Sequence, residues 1–263
     1  MILHILAPDS GQVQVLGETG TRASNDRIGY LPEERGLYKK MTVARLLAYY
    51  GSLKGMGLKS ARHEADRWLE RLGLSEWRKA KIEALSKGMS QKIQFISTVI
   101  AKPALLILDE PFSGLDPVNL EVMRSAILEL VAEGTTVVLS THDMTVAEQL
   151  CDNVIMIFNG DKVLDGSIAD VNAQYGQDTI RIRTDAGAAA LDGIGDLENV
   201  TDMGTFQEVR YRGDSQRLLQ ELSGRTSVRL FEETRPTLHD IFIRIAGPDA
   251  KAATQAGTQG VQA

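Results

Sequence analysis

Eight residues near the middle of the chain, Ala104-Leu105-Leu106-Ile107-Leu108-Asp109-Glu110-Pro111, constrain its fold more than any others. An uninterrupted apolar run, closed by two adjacent carboxylates and a proline, reads as a strand buried on both faces of a parallel sheet. Such strands end at the carboxyl edge of the sheet, where open α/β folds bind ligands. Period-two alternation sends neighbouring side chains to opposite faces, so Asp109 and Glu110 are placed for different tasks. One carboxylate at such an edge can hold Mg²⁺, and the next can orient a water toward a phosphate. Taken alone, the same residues also fit a strand that ends in a solvated acidic pair.

The flanking segments separate these readings. Upstream lies Leu85-Ser86-Lys87-Gly88-Met89-Ser90-Gln91-Lys92; downstream come Phe112-Ser113-Gly114-Leu115-Asp116-Pro117 and Val137-Val138-Leu139-Ser140-Thr141-His142-Asp143. Ser86 can cap a helix whose stripe is Ile93, Ile96 and Ile100. Thr135 to Ser140 reads as a second buried strand with His142 just beyond it. In this order and at these spacings the segments resemble the signature, acidic strand end, aspartate loop and switch histidine of ATP-binding subunits of ABC transporters. The resemblance runs from the first residue to about Val163. It implies a P-loop NTPase-like α/β nucleotide-binding domain with a helical subdomain, using ATP and Mg²⁺.

By that resemblance, Asp109 holds Mg²⁺, Glu110 positions the attacking water, and His142 contacts the γ-phosphate. Glu33, in Tyr30-Leu31-Pro32-Glu33-Glu34, stands where the family usually carries a glutamine that meets metal and water. Ser86, Gly88 and Asp116 are implied to act across a dimer interface, on ATP bound to a second subunit. Lys87 and Met89 depart from the commoner Leu-Ser-Gly-Gly-Gln form of the signature. Met41 to about Gly73 reads as the helical subdomain, with Val43, Leu46 and Leu47 and then Ala65, Trp68, Leu69 and Leu72 at helical spacing. In the family this region faces the transporter partner.

One family element is missing from the sequence: no G-x-x-x-x-G-K-[ST] loop occurs in the 263 residues. In Gly55-Met56-Gly57-Leu58-Lys59-Ser60, Leu58 replaces the glycine before lysine, and the preceding segment has helical spacing, so a helix-ending turn is expected. Gly17 to Arg22 is a turn without the lysine. Backbone N–H groups and that lysine normally neutralise the β- and γ-phosphates, so very weak ATP binding by this chain alone is expected. Met1 to Ala7 reads as the last turns of a helix, followed by a turn and a strand, Gln12 to Leu16. The lost strand is expected to have lain beside Leu105–Leu108, leaving an apolar edge. The expectation is a start codon upstream of Met1.

The bulk numbers exclude other classes. A net charge of −6 argues against a nucleic-acid partner. The single cysteine, Cys151, cannot form an internal bridge and fits a reducing cytoplasm. No apolar run approaches the roughly 20 residues that span a bilayer, so a membrane role requires a separate partner. No signal peptide is visible at Met1 to Ala7.

Val154 to Phe158 and Lys162 to Leu164 are expected to form a hairpin about Asn159-Gly160-Asp161. After about Gly166 the pattern becomes βαββαβ, resembling a small ferredoxin-like appendage closed by an amphipathic helix from Thr237 to Arg244. Such tails occur in the exporter group that includes Nat-type sodium extrusion and drug-efflux systems. The expected division is 1–165 for the nucleotide-binding domain, 166–246 for the accessory domain and 247–263 for a disordered tail. The implied role is the ATP-hydrolysing subunit of an exporter, cytoplasmic and peripheral at the inner membrane face. It is expected to act with an integral membrane permease and a second ATP-binding subunit. Two alternatives stay open: a non-catalytic partner lending Ser86 and Gly88 to an intact relative, and a soluble ABC protein unconnected to a membrane.

Overall fold

The structure is a computed structural model that describes residues 1–3, 5–19, 26–34, 36–175, 179–243 and 245. The tail expected beyond Ala246 and the turn residues 20–22 lie outside these. Contacts divide the chain into two compact units, Met1–Asp143 and Met144–Ala263.

The first unit opens with a minimal hairpin, β1 (Gln14–Val15) against β2 (Glu18–Thr19). Met1 to Ala7 forms turns rather than a helix among its described residues. Met1, Ile2, Ile5 and Leu6 are exposed, while Leu3 packs with Val15, Ile28 and Leu105. A segment this short does not sustain a helix by itself.

Strand β3 (Ile28–Leu31) leads to two packed helices, α1 (Val43–Leu53) and α2 (Leu58–Arg71). Val43, Leu46, Leu47, Ala65, Trp68, Leu69 and Leu72 are all buried, as their spacing requires. Gly55 has φ of +82° just past the α1 cap, and Gly57 caps α2, so 55–60 joins two helices and forms no phosphate loop. Helix α3 (Lys87–Val99) follows with Ser86 as its cap, and Ile93, Phe95, Ile96, Val99 and Ile100 are fully buried.

Strand β4 (Leu105–Asp109) then runs through the middle of a three-stranded parallel sheet, after which come α4 (Pro117–Ala132) and β5 (Thr136–Ser140). The order is β3-β4-β5, with Leu31 opposite Leu108 and Asp109 opposite Ser140. This corrects the expectation that the strand beside Leu105–Leu108 is missing: β4 has neighbours on both sides. The less covered strand is β5, where Val138 is 47% exposed. Gly29 lies where β3 crosses α3. A Cβ there would stand 2.9 Å from the Thr98 carbonyl oxygen, 3.0 Å from Leu106 Cδ1 and 3.1 Å from Pro103 Cγ. Only glycine admits that approach.

The second unit begins with α5 (Met144–Leu150), the hairpin β6 (Asn153–Phe158) and β7 (Asp161–Ser167), and α6 (Ile168–Tyr175). The tight turn carries φ of +51° at Asn159 and +88° at Gly160, as its residues predict. Leu164 and Val171 are buried with Leu238 and Ile241 of the closing helix, which explains why the contact division falls before the hairpin. Next come β8 (Thr179–Thr184), β9 (Leu197–Asp202), β10 (Gln207–Tyr211), α7 (Ser215–Arg225) and β11 (Val228–Thr234). Their antiparallel order, β11-β8-β10-β9, is that of a ferredoxin-like sheet. The connection after β8 is a 3₁₀ turn, Gly187–Leu191, where the βαββαβ pattern calls for its first helix. Ile180, Ile182, Val209, Tyr211, Leu218 and Leu222 form the core beneath.

Candidate functional site

The carboxyl ends of β4 and β5 meet at one cluster. Asp109 pairs in register with Ser140, whose hydroxyl donates to Asp109 Oδ1. Glu110 is the first residue past the strand and has φ of +46°, a left-handed backbone that few non-glycine residues adopt. Its own N–H donates to the Ser140 carbonyl at 3.1 Å. That turn, rather than strand alternation, swings its side chain toward the exit of β5. There Glu110 Oε1 accepts the His142 backbone N–H at 2.7 Å and lies 2.7 Å from His142 Nδ1, while Thr141 Oγ1 donates to Oε2 at 3.4 Å. The Glu110 side chain is only 17% exposed and that of His142 85% exposed, so the acid is sheltered while the imidazole faces solvent.

A second cluster forms where α3 begins. Ser86 Oγ accepts the Met89 N–H at 3.2 Å, and no acid occupies the first turn. Gly88 faces the aspartate loop: a Cβ on it would lie 3.5 Å from Leu115 Cδ2 and 3.9 Å from Asn119 Nδ2. The Lys87 side chain is laid across Gly114, whose φ is +71°. Asp116 caps α4, its Oδ1 accepting from Val118 N at 3.1 Å and Asn119 N at 3.0 Å, with Pro117 beginning the helix. Its other oxygen accepts from the Asn119 amide. Hydrogen bonds from the Asn119 backbone and side chain hold the Asp116 carboxyl below the usual carboxylate range.

Three side chains that the sequence reading passed over tie these parts together. Gln91 donates to the Pro111 carbonyl, joining α3 to the turn after Glu110. One helical turn on, Gln94 donates to the Pro32 and Glu34 carbonyls at 3.3 and 3.2 Å and so holds the loop that carries Glu33. Glu33 itself is exposed and makes no hydrogen bond or ion pair with Glu110 or His142 among the described residues. Lys92 Nζ donates to the Leu72 carbonyl at 3.0 Å, fastening the end of α2 to α3, and burial lowers its pKa. The visible signal was polarity: Gln91, Lys92 and Gln94 lie at 7%, 7% and 6% exposure on a helix otherwise read for its isoleucines.

No group of three or more His, Cys, Asp or Glu among the described residues forms a metal cage. The donor set instead fits Mg²⁺, which binds through one or two carboxylates and completes its shell with water and phosphate oxygens. Asp109, half-exposed at the strand end, is the carboxylate suited to it.

The carboxyl edge of the parallel sheet thus carries an adjacent acid pair and, two residues past the next strand, a histidine, at the kind of edge where open α/β folds bind ligands. The ABC transporter family model matches residues 1–113, and the model for the C-terminal domain of DrrA1-3-like ATP-binding proteins matches 166–246. The uncharacterized ABC transporter ATP-binding protein YhaQ of Bacillus subtilis (strain 168) is 40% identical over 94% of this chain and 84% of its own length. The Nod factor export ATP-binding protein I of Burkholderia lata is 31% identical, over 94% of this chain and 82% of its own. A solved structure described as an ATP binding subunit of an ABC transporter superposes with a TM-score of 0.62 at 28% identity, covering 66% of this chain and 74% of that one. The chain belongs to the ATP-binding subunits of ABC transporters.

Proposed function

We propose that this chain is the ATP-hydrolysing subunit of an export system and drives a separate membrane subunit. Export is supported by the name of the Nod factor relative. A separate membrane subunit is favoured because no helix among the described residues is long and apolar enough to cross a bilayer. In this reading Asp109 holds Mg²⁺, and Glu110 accepts a proton from the attacking water and orients it. His142 presents its exposed ring edge to the γ-phosphate, with Glu110 fixing that ring from behind. Glu33 meets the water or metal once the loop closes on nucleotide. ATP with Mg²⁺ supplies the phosphoanhydride to be cleaved and the charge that offsets its oxygens. Ser86, Gly88 and Asp116 act on nucleotide held by a second ATP-binding subunit, identical or related. Residues 1–165 form the nucleotide-binding part and 166–246 a regulatory or dimer-contacting appendage. The protein works at the cytoplasmic face of the membrane.

The observation that carries this reading is the double contact from His142 to Glu110 Oε1 at the strand ends. Its test is steady-state ATP hydrolysis by the chain combined with a phosphate-loop-bearing ABC subunit from the same cell. Stimulation that disappears in Glu110→Gln supports it. Hydrolysis unaffected by Glu110→Gln, His142→Ala and Ser86→Ala together contradicts it.

A second reading rests on the capped start of α3, where Ser86 and Gly88 sit beside the aspartate loop. In it, the chain is a non-catalytic partner whose Ser86 and Gly88 complete the ATP site of an intact relative. The two differ in one measurement. If Ser86→Ala abolishes stimulation while Glu110→Gln leaves it intact, the chain lends its helix and does no chemistry itself.

A further inference from the structure

Gln91, Gln94 and Thr98 stand at i, i+3 and i+7 of α3 and so share one stripe of the helix. Each bonds the chain in a strand or just past one. Gln91 donates to the Pro111 carbonyl beyond β4, Gln94 to the Pro32 and Glu34 carbonyls beyond β3, and Thr98 to the Tyr30 carbonyl within β3 at 3.5 Å. Burying two amides at 7% and 6% exposure is unfavourable unless their donors find acceptors. Gln94 uses its donor on the loop that carries Glu33. Gln91 uses its donor beside the other acid, Glu110.

The turn at Glu110 and Pro111 requires such a tie. Glu110 holds φ of +46°, a backbone that persists only where its surroundings fix it. Its N–H is anchored on the Ser140 carbonyl at 3.1 Å, while its carbonyl accepts the Ser113 N–H at 3.2 Å, which closes the turn on itself without anchoring it. Pro111 follows, buried and without an N–H of its own, and among the described residues no backbone N–H reaches its carbonyl. The Gln91 amide is the donor that does. It projects from a helix seated in the core, where Ile93, Phe95 and Ile96 are fully buried. Glu110 is therefore gripped on both sides of its Cα, by β5 before it and by α3 after it.

We propose that Gln91 is a positioning residue for ATP hydrolysis: by holding the Pro111 carbonyl it keeps the Glu110 carboxylate aimed at His142 and at the attacking water. It rests on the reading in which Glu110 orients that water. Gln91 touches neither nucleotide nor water in this account and acts only through the turn. A small displacement of an orienting group is enough to slow a reaction by an order of magnitude or more without weakening substrate binding.

The test uses Gln91→Met, which keeps the length of the side chain and removes its donor, with circular dichroism melts to establish that the full chain is folded. Should it not fold, Gln91→Glu, which sets an acceptor against the carbonyl, is read in the same way. The first readout needs no nucleotide: the ring C2 proton of His142, assigned by its loss in His142→Ala, is followed by NMR. In Gln91→Met it should move toward its position in Glu110→Gln, while Gln94→Leu, which releases the other loop, leaves it in place. The second readout is MgATP hydrolysis by the chain combined with a phosphate-loop-bearing ABC subunit. There kcat should fall on the order of tenfold or more, with KM within about twofold of the parent. A folded Gln91 variant with either an unmoved His142 resonance or an unchanged kcat overturns the proposal, and if Glu110→Gln is then still inactive the nucleotide reading stands without it. An equal shift in Gln94→Leu also overturns it, because α3 would then be loosening as a whole. Hydrolysis that survives Glu110→Gln removes the reading and the proposal together.

Discussion

Glu110 Oε1 accepts the backbone N–H of His142 and lies 2.7 Å from the Nδ1 of the same residue. One carboxylate oxygen therefore fixes both the chain and the ring of its partner. The ring contributes little to packing, being 85% exposed, so its position matters chiefly for what approaches from solvent.

Replacing His142 by alanine removes the ring contact and leaves the backbone bond. The melting temperature should therefore stay close to that of the parent. ATP hydrolysis in the complemented complex should fall on the order of 10²-fold or more, in the range of lost proton-transfer or charge-stabilising groups. A large drop in stability, read by calorimetry, would instead make His142 a structural residue.

Asp116 gives a pH-dependent effect with a definite sign. Its folded carboxyl lies below the ordinary carboxylate range because Asn119 and Val118 donate to it. The cap therefore stabilises fully above the unfolded pKa and is lost as pH falls through the lower folded value. Asp116→Ala should melt a few degrees below the parent near neutrality. The gap should close as the solution is acidified below the usual aspartate range; a gap constant with pH would show that capping is not its cause.

Gln94 is buried and donates to two loop carbonyls. Gln94→Leu leaves the Pro32 and Glu34 oxygens without that donor and should cost about 1–3 kcal/mol in denaturant unfolding. Amide exchange at Glu33 and Glu34 should quicken, with that of α3 little changed. Unaltered exchange at the loop would mean that it is held from elsewhere.

Gly29→Ala places a methyl against the Thr98 carbonyl, Leu106 and Pro103. Backbone and a proline ring cannot yield as a flexible side chain can, so a loss of about 1–3 kcal/mol is expected. Gly114→Ala is a useful contrast, because its obstacle is the far end of Lys87, and the cost there comes from φ of +71°. Lys87→Ala should therefore not rescue Gly114→Ala, and rescue would mean that the clash dominates.

Much of the first unit was legible because its signals are local. Ser86 before a stripe at 93, 96 and 100 specifies a capped helix, and the aliphatic run through Leu108 specifies a buried strand. Strand order was not legible in this way. Whether Leu105–Leu108 borders a gap or two neighbours depends on pairing with Ile28–Leu31 and Thr136–Ser140, which no local pattern encodes. The same limit hid Gln94, whose partners lie about 60 positions earlier. The backbone of Glu110 was hidden for a different reason: φ of +46° at a non-glycine residue is set by the bonds around it and runs against its own preference. At the start of the chain the reading of Met1 to Ala7 as the last turns of a helix failed, because the described residues there form turns and only Leu3 joins the core.

The close approach at Gly29 has a mechanical corollary. At Gly29 β3 puts no side chain of its own toward α3, and Gln94 clamps the loop just beyond β3, so little compliance is left there for the two to slide. Any tilt of the helix that begins at Ser86 must drag the Glu33 loop with it, as a lever carries whatever is bolted to its arm.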